Sequence, residues 1–182
     1  MAVCGGCIQT PVSLPTPLMS AIGIRLATPA DAHQALNAIC RSITELCETD
    51  HQCDAPTLER WLRNKTPEHF DNWCADPDSR LIVGELNAVI AGVAALHRSG
   101  EIRLFYVRPD CVRSGVGRAL LLALEAHARV WKIAVLKLNS SLTARHFYER
   151  CGFLPAGDST SHFGVLRGYP YTKTLSLSLS PR

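Results

Sequence analysis

The pattern of apolar and polar positions changes period at Asp76-Pro77. Upstream, Ala32, Leu36, Ile39, Cys40, Ile43 and Leu46 recur at three- and four-residue steps, the spacing of one buried helical face. Thr28 is suited to cap that helix, and Pro29 to fill its first position. Before the cap, Ile22 to Ala27 reads as a short strand. Asp54 or Thr57 can open a second helix carrying Leu58, Trp61 and Leu62, and Thr66-Pro67 a short third one carrying Phe70 and Trp73. Downstream, the runs Leu81–Leu86, Val89–Leu96 and Ile102–Val107 are β-type, divided by turns at Asn87-Ala88 and His97 to Gly100. A helix from about Gly115 to Trp131 follows, then a strand from Ile133 to Leu138. A helix from Leu142 to Arg150 ends at Gly152, a strand starts at Phe153-Leu154, and a last strand falls within Phe163 to Leu177.

Three strands at such short spacing form an antiparallel meander, because parallel neighbours need long crossovers. From Val107 to Phe153 helices separate the strands, which implies local parallel pairing and a mixed sheet. Residues 1–20 are proline-rich, uncharged and aperiodic, and read as a disordered or non-native leader, with Met19 a candidate native start. The expected organisation is one domain over 21–178 and a tail over 179–182. The strand-like Thr172 to Leu179 segment either closes the sheet or pairs two copies in a homodimer.

Composition narrows the class. With 182 residues, 47% hydrophobic and 19% charged, the chain has enough apolar material for one full core. A net charge of +3, with Lys and Arg scattered, argues against a nucleic-acid partner. No apolar run is long enough to cross a membrane. Eight cysteines without a secretory signal suggest free thiols in a reducing, cytoplasmic setting. Cys4 to Cys7 is a lone C-x-x-C, and Cys40, Cys47, His51 and Cys53 match no standard zinc spacing, so no metal is expected.

The chemistry concentrates between Leu104 and Leu122. A β-type run breaks at Pro109-Asp110, Gly115 and Gly117 bracket Val116, and an apolar helix starts at once. Such a loop aims backbone N–H groups and a helix dipole at one point, an anion site suited to phosphate or pyrophosphate. Alone, G-x-G at a helix start equally marks a tight turn. The Walker phosphate loop is missing, and Leu120 stands where a dinucleotide fingerprint needs its third glycine. A second signal follows: Asn139 ends a strand near that loop, and the next helix carries Ala144, Phe147, Tyr148 and Cys151 on its more apolar face.

Together, R-P-D-x-x-x-S-G-V-G-R-A-L-L and N-x-S-x-x-A-x-x-F-Y-E-R-x-G-F resemble the GNAT superfamily of acetyl-CoA-dependent N-acetyltransferases. The resemblance spans about Ile24 to Leu175 and is strongest from Leu104 to Phe153. It implies an α/β (α+β) fold with a mixed, mostly antiparallel sheet of about seven strands flanked by four or five helices. It further implies an enzyme using acetyl-CoA as acetyl donor and a primary amine as acceptor. By this resemblance Arg113, Ser114, Gly115, Val116, Gly117 and Arg118 wrap the coenzyme A pyrophosphate. Phe105, Tyr106 and Val107 offer main-chain groups to the pantetheine arm and thioester where the sheet splays, and Asn139 bonds the pantetheine. Tyr148 matches the tyrosine that acts as general acid near the sulfur. One position departs: Val112 stands where the family usually has Gln or Arg, three places before the first glycine.

The general base is not marked. Glu101, His97 and Glu85 are candidates, and a water chain serves instead in some relatives. The segment from Glu45 to Asp54 is expected to rim the acceptor pocket. Two other readings stay open: an acyl-CoA-binding module without turnover, and an RNA-directed acetyltransferase acting on aminoacyl-tRNA.

Overall fold

A computed structural model describes residues 22–176. The expected leader over 1–20 and tail over 179–182 lie outside the described residues. Strands β1 (Ile22–Leu26), β2 (Ser79–Leu86), β3 (Val89–His97) and β4 (Ile102–Val107) form an antiparallel sheet in that order. The β2–β3 connection is a two-residue turn with Asn87 at φ 54° and Ala88 at φ 63°, the primed geometry that matches strand twist.

Helices cover both faces of this meander, which is why its strands are nearly continuously apolar. On one face Leu81, Val83, Val93 and Ala95 pack with Ala35, Leu36 and Ile39 of α1 (Ala32–Arg41) and with Phe70 of α4 (Pro67–Ala75). On the other, Ile82, Ala94 and Leu96 pack with Val116, Leu120 and Leu124 of α5 (Val116–Val130). The first helix runs on to Leu46 as predicted, but its last turn, Ser42–Leu46, is a wider π turn. Between it and α3 (Ala55–Leu62) lies a four-residue helix, α2 (Glu48–His51), that the periodicity does not predict.

The second sheet carries β5 (Val135–Ser140), β8 (Leu166–Thr174) and β6 (Leu154–Pro155) in that order, with β7 (Thr160–Phe163) paired to β8. The strand expected at Ile133–Leu138 starts two residues later. Ile133 N–H closes the end of α5 on Ala128 O, and Lys132 turns the chain at φ 58°. The expected parallel pairing is reduced to one bridge, Glu101 to Lys137, with Lys137 N–H donating to Gly100 O at 2.9 Å. The two strands flanking α6 (Arg145–Arg150), β5 and β6, do run parallel, but β8 is inserted antiparallel between them. Thr172 is paired on both sides, to Lys137 and Leu154, so β8 is a middle strand of this sheet. Past the Glu101–Lys137 bridge, β4 and β5 share no pairing among the described residues and open as a wedge. No helix among the described residues is long and apolar enough to cross a membrane.

Candidate active site

The wedge between β4 and β5 leads into a cavity of about 880 Å³. Phe105, Tyr106 and Val107 line it from β4, Leu138 to Ser141 from β5 and its end, and Phe147 and Tyr148 from α6. Arg113, Gly115, Gly117 and Arg118 line it from the glycine loop. Ser42, Leu46 and Cys47, from the π turn and its end, close it on the other side with Trp61 of α3. Part of the Glu45 to Asp54 segment therefore reaches the cavity as expected. Of the predicted coenzyme residues, Ser114 and Val116 stand outside the lining: Val116 is buried in the core and Ser114 Oγ donates to Cys111 O at 2.6 Å.

The loop owes its shape to Arg113 at φ 65° and Gly115 at φ 96°, a left-handed pair that turns the chain into α5. A side chain at Gly115 is disfavoured by that φ, and its Cβ would also lie 3.3 Å from Ile22 Cδ1. The N–H groups of Arg113, Gly115, Gly117 and Arg118 have no acceptor among the described residues. Arg113, Arg118 and Arg150 line the same cavity and pair with no carboxylate among the described residues. Free amides, a helix N-terminus and unpaired guanidinium groups fit a phosphate-rich ligand. Arg150 is a residue that the sequence reading missed. Its only signal there is its place one turn after His146 on the helix that carries Tyr148.

Tyr148 is buried within an aromatic cluster, its ring edge-on to Phe105, Phe147 and Phe153 at centroid distances of 5.8, 5.3 and 5.5 Å. Burial pushes its phenol well above the ordinary range, reinforced by Tyr106, Cys151 and Cys47. Its hydroxyl bonds to no described residue, which leaves it for a ligand. Tyr106 is pushed up to about 12 by desolvation, with the neighbouring Trp61 side chain opposing the shift. Cys47 is likewise raised to about 12 by burial and by Asp50. Asn139 is exposed at the end of β5, where the cavity reaches it. Val112 also lines the cavity, 48% exposed, as an apolar side chain between buried Cys111 and Arg113.

The structure does not bring the candidate bases into the cavity. Glu101 sits at the closed end of the wedge and pairs with Arg103 at 3.3 Å. His97 Nδ1 is engaged by Ser99, and Glu85 pairs with Arg25 at 2.8 Å. Among the described residues no carboxylate lines the cavity. Among the described residues no group of His, Cys, Asp and Glu side chains is arranged to hold a metal, and Cys40, Cys47, His51 and Cys53 do not converge.

The model of the acetyltransferase (GNAT) domain matches residues 47–175. A GCN5-related N-acetyltransferase from Rhodopseudomonas palustris superposes with a TM-score of 0.76 at 26% identity, covering 88% of this chain and 99% of its own. The PaiA N-acetyltransferase of Thermoplasma acidophilum, solved with coenzyme A, superposes at 0.72 with 17% identity over 85% of this chain and 99% of its own. The ribosomal-protein-S18-alanine N-acetyltransferase of Escherichia coli gives 0.64 at 18% identity, over 87% and 96%. No functionally curated protein sequence matches this chain.

Proposed function

This chain belongs to the GNAT acetyltransferase family, and we propose that it moves the acetyl group of acetyl-CoA to a primary amine by direct attack on the thioester. The observation that carries this reading is one cavity faced by both the free loop amides and the Tyr148 hydroxyl. The loop N–H groups of Arg113, Gly115, Gly117 and Arg118 would take the pyrophosphate, with Arg113, Arg118 and Arg150 supplying charge. In the wedge, the backbone of Phe105 to Val107 has no β5 partner among the described residues. Its main-chain groups would bind the pantetheine arm, opposite the Asn139 amide, and an N–H there would stabilise charge on the thioester oxygen.

The amine must arrive neutral to attack. With no carboxylate among the described lining residues and several cations around it, the field of the site disfavours an ammonium ion and lowers the acceptor's own pKa. The proton then leaves through water, not through Glu101. Tyr148 stays protonated in its aromatic surroundings and donates to the sulfur as the C–S bond breaks. A thiolate formed in the same desolvated space becomes more basic, which offsets the weaker acidity of the buried phenol. Release of free thiol from acetyl-CoA, followed across a panel of primary amines, tests the reading. Amine-dependent release supports it, and tight acetyl-CoA binding without release with any amine would make the protein a binding module instead.

A further inference from the structure

A second cavity, of about 460 Å³, lies on the other side of Trp61, whose side chain lines both spaces. Its walls are Arg60, Arg63, Lys65 and His69 with the aromatic residues Trp61 and Phe163, and among the described residues no carboxylate. Two distant parts of the chain build it. The tip of the β7–β8 hairpin docks on α3, where Val165 N–H donates to Thr57 Oγ1 at 3.3 Å. Gly164 permits this approach, because a Cβ there would lie 2.0 Å from Thr57 Oγ1. Docking sets the Phe163 ring 5.0 Å from the Arg60 guanidinium, so Arg60 is held at the wall. Arg60, Arg63 and Lys65 form no ion pair among the described residues, and Lys65 is partly desolvated, which lowers its pKa. Arg60, Arg63 and His69 are exposed and Lys65 is half-buried, so the recess presents several cations to an incoming anion.

We propose that this cavity is an acceptor subsite that binds a carboxylate or phosphate carried by the amine substrate. It rests on the acetyl-transfer reading above, to which it adds the acceptor's chemical class. Trp61 lines both spaces, so an anion held by Arg60 and Arg63 would set the rest of a small molecule at the wall that the subsite shares with the thioester cavity. The cations sit around one recess of about 460 Å³, the size of a small-molecule site, not in a stripe along the surface, which favours a small anionic amine over a nucleic acid.

The test measures kcat/KM, per free-base amine, for phosphoethanolamine against ethanolamine and for L-phenylalanine against its carboxamide. The charged member of at least one pair is expected to lead by about tenfold. The double variant R60Q/R63Q should bring the pair near parity while the KM for acetyl-CoA stays unchanged. Whichever pair responds separates phosphate from carboxylate. Parity in the wild type, or a preference that survives in the variant, overturns the subsite. So does inhibition by bulk tRNA when neither anionic amine is preferred. If no amine consumes acetyl-CoA, the transfer reading fails, and calorimetric titration of phosphoethanolamine decides the subsite alone: binding lost in R60Q/R63Q supports it, and no binding to the wild type overturns it.

Discussion

Asp50 holds the start of the Tyr148 helix from the other side of the cavity: its carboxylate accepts from Thr143 Oγ1 at 2.6 Å, Thr143 N at 3.2 Å and Leu142 N at 2.5 Å. Asp50 lies on α2, within the Glu45 to Asp54 segment expected to rim the acceptor pocket, and is 5% exposed. The link therefore couples the position of Tyr148 to a segment whose Leu46 and Cys47 line the cavity.

All three partners of Asp50 are donors, so an amide in its place would turn an NH2 group toward one of them. Asp50→Asn is expected to lower stability by about 1 to 3 kcal/mol, the cost of leaving buried donors unpaired. A urea unfolding curve measures this. A variant as stable as the wild type would show that the clamp contributes nothing.

Tyr148→Phe keeps the aromatic packing and removes only the hydroxyl. If the hydroxyl donates to the leaving sulfur, kcat falls by about a hundredfold, while the Kd for acetyl-CoA changes little. Pre-steady-state thiol release separates the two quantities. Full turnover in this variant would remove Tyr148 from the chemistry.

How much of this was legible in the sequence follows from how local each cause is. The Asn87-Ala88 turn, the Gly115 loop and the Thr66 cap depend on neighbours and were readable. Helix α6 starts at Arg145 instead of Leu142, and the Leu142 and Thr143 amides before it go to Asp50, a partner ninety-two and ninety-three residues away that the local sequence does not show. The insertion of β8 between β5 and β6 is a long-range pairing choice with no signature in either segment. For the same reason the Arg60–Phe163 wall escaped notice, since its halves meet only through the hairpin tip. Glu101 was attractive for its position before the loop, yet that end of β4 is where the wedge is closed.

Val112 lines the cavity and is half exposed, so a longer polar side chain can be added there without disturbing the core. Val112→Gln is expected to tighten coenzyme A binding by about fivefold through one added hydrogen bond to phosphate. Calorimetric titration checks it, and unchanged affinity would mean that the loop amides already satisfy the phosphates.

Cys47 is the thiol that most invites a covalent alternative, since it lines the cavity. Burial and Asp50 raise it to about 12, which leaves almost no thiolate at neutral pH. Intact-protein mass spectrometry after incubation with acetyl-CoA alone should show no acetyl adduct on Cys47. An acetylated Cys47 that is discharged by amine would replace direct attack with a two-step transfer.

Asp31 supplies the pH dependence of stability. It accepts from Arg25 Nη1 and Nη2 at 2.7 Å each, and from Thr28 N and Oγ1 at 2.8 and 3.0 Å, tying β1 to the start of α1. The Arg25 contact, with the Thr28 bonds, lowers its carboxyl from 3.8 to about 2 despite burial. A depressed folded-state pKa means that the unfolded chain binds the proton more tightly, so the stabilisation is complete above about 4 and is lost as pH falls toward about 2. Asp31→Asn should therefore cost about 1 to 2 kcal/mol at neutral pH, limited by solvent screening at the Arg25 end. Urea midpoints of the two proteins, taken at falling pH, should converge across that window, and a gap that stays constant would place the stabilisation in packing and not in the charge.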